Sequence, residues 1–202
     1  MSTTQEEKAL EAARSGDLAA IGPVLDGFRG RLGRMVSMRI DTRLANRFDA
    51  SDVLQETFVE VAERLPDFLK KDDGMPFYLW VRFLVGQKLL QLHRSHFGAQ
   101  RAANRDVPLS PRSAPGVSSL WAASAFLAQS GTPSRAAAQQ EEEERLRMAL
   151  DDMEEIDKEV LVLRHFEQLS NGETARVLGL SPKAASARYI RALGRLQSEI
   201  GG

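Results

Sequence analysis

The chain contains no cysteine, which removes disulfides, thiol nucleophiles and zinc ribbons from consideration. Histidine is almost as scarce. His93, His96 and His165 are too few and too scattered for a metal centre, so neither metal nor other cofactor is expected. Long apolar runs are missing as well: none approaches the ~20 residues a membrane span requires. The N-terminus is polar and carries no secretory pattern. A cytoplasmic protein with no membrane contact is the expectation. Runs of Val, Ile and Thr in period-two alternation are absent, and Ala, Leu, Arg and Glu dominate. These two features predict an all-α fold. No nucleophile–base pair, phosphate loop or ligand cluster points to an enzyme, so no catalytic residues are expected.

What the chain does have is an uneven distribution of charge. Over 202 residues the net charge is only −1. Between Asp73 and Asp106 there is no acid, whereas Arg82, Lys88, Arg94, Arg101 and Arg105 fall there. Between Glu173 and Glu199 acids are again missing, and Arg176, Lys183, Arg188, Arg191 and Arg195 follow one another. The segment from Glu141 to Glu159 is by contrast heavily acidic. Two basic stretches in a neutral chain suggest two separate anionic contacts, although a solvated helix face would give the same pattern.

A first helix is predicted over 5–14, stopped by Ser15-Gly16. Asp17 is a candidate cap for a second, which restarts near Gly22-Pro23 and runs to about Arg39. Asp49 or Ser51 caps a third to about Leu65, with Val53, Phe58, Val61, Ala62 and Leu65 as its apolar face and Pro66 helping to end it. Residues 66–76 read as a loop, and a long apolar and basic helix runs from Phe77 to about Ser95. Between 108 and 138, prolines and glycines break a Ser- and Ala-rich stretch into a flexible linker. Trp121 and Phe126 inside it imply that part of it docks. An acidic helix then opens a second domain, followed by helices at about 156–166, 171–178 and 182–198. The division expected is thus 1–107, linker 108–138 and 139–202.

Residues 171–191 carry a helix-turn-helix pattern. Ala175 is small where two helices must cross, and Gly179 supplies a left-handed turn. Ser181 caps the next helix, with Pro182 in its first turn. Val177, Leu178, Leu180, Ile190 and Leu193 supply the expected core. Lys183, Ser186, Ala187, Arg188 and Arg191 then lie toward the end of the second helix that meets base edges and phosphates. Lys183 and Arg188 are the expected base or adjacent-phosphate contacts, and Arg191 and Arg195 the backbone contacts.

In the first half, Asp52, Gln55, Glu56 and Glu63 share one polar helical side. Alone this is an ordinary solvated face. The run Asp49-Ala-Ser-Asp-Val-Leu-Gln-Glu-Thr-Phe58, however, resembles the core-polymerase-binding motif of extracytoplasmic-function (ECF, group IV) sigma factors of the sigma-70 family. It resembles in particular that of a planctomycete-like subgroup. Phe77-Tyr-Leu-Trp80 resembles the start of that family's promoter-melting helix, the helix-turn-helix its upstream-element reader, and Gly16-Asp17 its opening.

The resemblance implies two small helical domains, region 2-like and region 4-like, that bind core RNA polymerase (beta and beta-prime subunits) and promoter DNA. An anti-sigma factor is an additional implied partner. Asp52, Gln55 and Glu56 would face polymerase. Phe68, Lys70 and Lys71 would lie in the loop that captures a minus-10 base, with Trp80, Lys88 and Arg94 after it. Two departures stand out. Leu84-Val85-Gly86-Gln87 and Gln91 replace the family's Ile-Ala-Arg-Asn and Asp, and Ala184-Ala185 replaces Thr-Val. A one-component regulator with an N-terminal sensing or dimerisation domain is the alternative. It would account for the helix-turn-helix but not for the Asp52/Gln55/Glu56 face.

Overall fold

The computed structural model describes residues 3–40, 49–71, 74–97, 116–130 and 136–200. Among them all regular structure is helical. The order is α1 (Thr3–Arg14), a short 3-10 turn (Leu18–Ile21), α2 (Gly22–Arg39), α3 (Ala50–Lys70), α4 (Phe77–Phe97), α5 (Ser119–Ser130), α6 (Ala136–Asp151), α7 (Glu155–His165), α8 (Asn171–Leu178) and α9 (Pro182–Ile200).

Gly16, at φ 107°, turns the chain after α1 in a conformation that suits glycine. Asp17 precedes the 3-10 turn without capping it, since its side chain makes no cap hydrogen bond. Asp49 does cap α3. It accepts from the Asp52 amide at 2.8 Å, and Asp52 accepts from the Asp49 amide at 3.4 Å. Contrary to the sequence expectation, α3 continues through Pro66 to Lys70. Pro66 cannot bond the Ala62 carbonyl, but Ala62 lies on an exposed stretch where water can. Beyond it, Phe68 and Leu69 pack on the core and hold the last turn in place. For the same reason Ala62 leaves the expected apolar face, which is built by Val53, Leu54, Val61 and Leu65.

The N-terminal bundle buries Leu32, Met35, Val61, Leu65, Val81 and Leu84 at its centre. A second cluster joins Leu146, Leu150, Leu161, Val162 and Leu196 around α5. The described part of the expected linker is therefore ordered. Val117, Ala122, Ala123 and Phe126 are buried, and the Ser118 amide donates to the Met38 carbonyl at 3.0 Å. Phe126 sits edge-on to Phe166, with centroids 4.7 Å apart. Burial of such a ring contributes roughly 1.5–3 kcal/mol, which explains why this Ser- and Ala-rich segment folds. The Trp121 side chain lies outside the described residues, as do Arg101 and Arg105. The two halves are closed on each other: Val160, Leu163, Leu169, Val177 and Leu178 share one cluster with the N-terminal bundle.

Candidate nucleic-acid interface

The helix-turn-helix is α8, turn, α9. Ser170 and Glu173 form a capping box at the start of α8. Gly179 ends that helix at φ 63°, the left-handed geometry that its place in the sequence predicts. Ala175 and Ala185 are buried at 2% and 0% exposure, so both small residues sit at the helix crossing. Ser181 accepts from the Ala184 amide at 3.1 Å and thereby sets where α9 starts.

That start fixes the faces of α9. Lys183, Ala187, Arg191 and Arg195 are exposed and Ser186 is half-buried. Ile190, expected in the core, is 66% exposed and stands among them. The reason is helical spacing: Ile190 lies three residues after Ala187 and seven after Lys183, on the outward side, while Ala185, Ala192 and Leu196 fill the inward side. Arg188 is not free. Its Nη1 lies 2.6 Å from Asp157 Oδ1 and 3.0 Å from Glu154 Oε2 of the α7 start. Hydrogen bonds to Asp157 and then Glu154 raise its pKa further.

In the N-terminal half, Asp52, Gln55 and Glu56 are all exposed on α3, beside the exposed Val59. Asp52 is in addition part of the helix cap. Glu56 Oε2 meets Lys88 Nζ at 2.5 Å, so one candidate polymerase residue holds one candidate DNA residue. Phe68 lies on α3 rather than in a loop, because the helix extends past Pro66. It stacks on Trp80 at 4.4 Å, and both rings meet Phe77. Lys70 ends α3, and Lys71 beyond it is exposed, as Lys70 is. Arg94 is exposed near the end of α4. The described loop before α4, residues 74–76, is reached from the other half: Arg176 of α8 donates to the Gly74 carbonyl at 2.6 Å.

Of the most buried charges in this region, Arg82 belongs to the first basic stretch, whereas the sequence patterning singles out neither Glu167 nor Arg39. Glu167, fully buried, lies between two arginines. Arg39 of α2 places Nη1 2.7 Å from Glu167 Oε1, and Arg82 of α4 places Nε 2.6 Å from Oε2. Arg39 also reaches Glu159 at 2.6 Å. Burial alone would raise the Glu167 pKa, but Arg82 and Arg39 outweigh it and hold the carboxyl down at about 2. Arg31 donates to the Glu167 carbonyl at 2.9 Å, stacks over Tyr78 at 3.9 Å and reaches Gln168. Arg34 donates to the Phe166 carbonyl at 2.7 Å. The turn that follows α7, residues 166–168, is therefore held through its carbonyls by cations of α2. A sequence signal did exist. Glu167 falls between Phe166 and Leu169, both apolar, and Arg39 follows Met35, Val36 and Met38 at the end of its helix.

Among the described residues no group of His, Cys, Asp and Glu could hold a metal ion. No helix there is long and apolar enough to cross a membrane.

Comparison with known proteins covers both halves. Residues 143–196 match the family model "Sigma-70, region 4". The ECF RNA polymerase sigma factor SigD of Mycobacterium tuberculosis (strain ATCC 25618 / H37Rv) is 29% identical over 203 residues, spanning 98% of this chain and 87% of SigD. The RNA polymerase sigma factor CnrH of Cupriavidus metallidurans is 31% identical over 157 residues, spanning 74% of this chain and 72% of CnrH. A solved structure of CnrH in complex with the cytosolic domain of CnrY has the same fold, with a TM-score of 0.52, 24% identity and 96% of each chain covered. The helix-turn-helix, the acidic α3 face before it and similarity running through both halves place this chain in one family: it belongs to the ECF RNA polymerase sigma factors, which direct promoter-specific transcription initiation.

Proposed function

We propose that the two halves divide the work of initiation between them. The N-terminal half, residues 1–107, binds core polymerase through the α3 face of Asp52, Gln55 and Glu56. It also holds the minus-10 element at the start of α4. Lys70, Lys71, Lys88 and Arg94 supply cations for phosphates there, and the Phe68–Trp80 stack borders the loop that takes a base. The C-terminal half, residues 139–202, enters the major groove of the minus-35 element with α9. Residues 108–138 link them. The chain acts in the cytoplasm as an initiation factor with no chemistry of its own. The beta and beta-prime subunits of core polymerase and promoter DNA are its partners. An anti-sigma factor is a further partner in this reading; the related CnrH was solved together with the cytosolic domain of CnrY.

One observation carries the minus-35 reading: a single outward face of α9 collects Lys183, Ala187, Ile190, Arg191 and Arg195. Cations and small or apolar groups side by side suit guanine edges, thymine methyls and phosphates. Arg188, engaged by Glu154 and Asp157, sets the angle of α9 on α7 rather than reading a base directly. Run-off transcription with core polymerase on a promoter library tests this division. Gln55→Ala with Glu56→Lys should leave helical content intact and weaken core binding. Unchanged affinity in a pull-down would remove the α3 assignment.

A further inference from the structure

Ile190 is 66% exposed, the most exposed of the large apolar side chains among the described residues. A single exposed apolar group is ordinary on a protein surface, so its meaning lies in its place. α9 buries Ala185, Ala192 and Leu196, and Ile190 stands on the opposite side, in line with Lys183, Ala187 and Gly194. Its neighbours in that line are small: Ala187 is exposed, and a side chain added at Gly194 would meet nothing within 4 Å. Packing within the chain therefore calls for neither the glycine nor the isoleucine. Ile190 is the large apolar group that projects from this ridge. Lys183, Arg191 and Arg195 are exposed around it, and no acid occurs between Glu173 and Glu199. Arg188, tied to Glu154 and Asp157, fixes which side of the helix is presented. Cations around one apolar group suit a duplex, where phosphates flank base edges, better than they suit an apolar protein face.

In the major groove the apolar group that an unmodified base offers is the 5-methyl of thymine, whereas adenine, guanine and cytosine present donors and acceptors. An isoleucine pressed on a methyl group buries both. Pressed on the amino group of cytosine, it strips water and returns no hydrogen bond. We infer, resting on the minus-35 reading above, that Ile190 is a methyl reader: it fixes one position of the minus-35 element as a 5-methylpyrimidine through the methyl group, without a hydrogen bond. Two bases carry that group, thymine and 5-methylcytosine. Ala187 and Gly194, before and after Ile190 in line, let the helix backbone approach the base edges closely enough for a short branched side chain to reach them. Along the axis Ile190 is about 10 Å from Lys183, close to three base-pair steps, so the two side chains address different pairs. Selection at the methyl is thus separable from selection by the cations.

The test changes single methyl groups. The full chain with core polymerase is assayed by run-off transcription on a promoter selected from a library with the wild type. Each thymine of its minus-35 element, on either strand, is replaced in turn by deoxyuridine, which removes only the methyl. At one thymine the wild type should lose about fourfold, the worth of one buried methyl. Ile190→Ala should be indifferent to that change, and Ile190→Val should keep most of the sensitivity. Because the side chain is exposed, circular dichroism of both variants should match the wild type. Replacing the same T·A pair by C·G should lower wild-type activity, and 5-methylcytosine at that place should restore part of it for the wild type but not for Ile190→Ala. No recovery there would overturn the methyl as the group read. Equal activity on thymine and deoxyuridine at every position would overturn the inference, as would uracil sensitivity that survives Ile190→Ala. So would a loss of core affinity by Ile190→Ala in the absence of DNA, which would make the side chain a protein contact. Scrambling the minus-35 element separates the two levels. If scrambling leaves activity unchanged, the reading of that element fails and the methyl contact with it. If scrambling abolishes activity while deoxyuridine has no effect, only the methyl contact fails.

Discussion

The two acid-free basic stretches look alike in the sequence and differ in the fold. In 74–105, Arg82 is buried against Glu167, Lys88 is held by Glu56, and the aromatic at the head of the helix is stacked on Phe68. In 174–198, Lys183, Arg191 and Arg195 stand together on one exposed face, while Arg188 and Arg176 are engaged. A run without acids says nothing about acids arriving from elsewhere. Glu167 is 85 residues from Arg82 along the chain. Local charge patterning finds cations, and tertiary structure decides which remain available to DNA.

The largest effect expected from breaking this contrast is at Glu167. Truncating it to Ala strands Arg82 in the interior and leaves Arg39 with Glu159 alone, and loss of one partner of a buried ion cluster typically costs about 3–5 kcal/mol in chemical denaturation. The same group gives a pH dependence. Its folded pKa, about 2, lies below the ordinary carboxylate value, so the folded state binds fewer protons than the unfolded state. The stabilisation is complete above the unfolded pKa and is lost as pH falls toward about 2. Acid titration of the wild type should show this added loss below about pH 4.5, and Glu167→Gln should not.

Next in size are the exposed cations of α9. If Lys183 reads a base, as proposed, Lys183→Ala should relax preference at one base position by roughly tenfold in a promoter library, near 1–3 kcal/mol. Arg195→Ala should lower affinity for every sequence and reduce the salt slope by about 0.9. Arg188→Ala should lower activity on all promoters without changing their rank, because its partners are Glu154 and Asp157. A changed rank order would return Arg188 to the base-reading set.

About 1 kcal/mol is expected from the α8 cap. Ser170→Ala removes the acceptor for the Glu173 amide, held at 3.2 Å, and should lower the midpoint of thermal unfolding by a few degrees.

The helix-turn-helix was legible because its determinants are local. Gly179, Ala175, Ser181 and Pro182 act on backbone within a few residues, and each takes the place its chemistry predicts. The Asp49 cap was legible for the same reason. Three features were not. The end of α3 depends on Phe68 finding Trp80 across the bundle, which overrides Pro66. Order at 119–130 depends on Phe126 finding Phe166. The exposure of Ile190 depends on the angle at which Ser181 starts α9, and residue type alone pointed inward.

The smallest effect sharpens the contrast at Lys88, the cation that stands between the two groups. Its side chain is 20% exposed and that of its partner Glu56 57% exposed, so water screens the pair and its contribution to stability is within about 1 kcal/mol. Lys88→Ala should therefore leave thermal unfolding almost unchanged. Binding separates two roles. If Lys88 serves phosphates once Glu56 is occupied by polymerase, Lys88→Ala weakens promoter opening and lowers the salt slope by about one contact. If Lys88 serves only to orient Glu56, the loss is in core affinity, with no change in salt slope, and Glu56→Gln reproduces it. On the assignments proposed above, the ion pair at 2.5 Å favours the first role, because it keeps on α4 a cation that is released once polymerase takes Glu56. Salt-dependent binding of Lys88→Ala to a pre-melted promoter, measured with and without core enzyme, decides between them: a slope that falls only in the presence of core is the expected result.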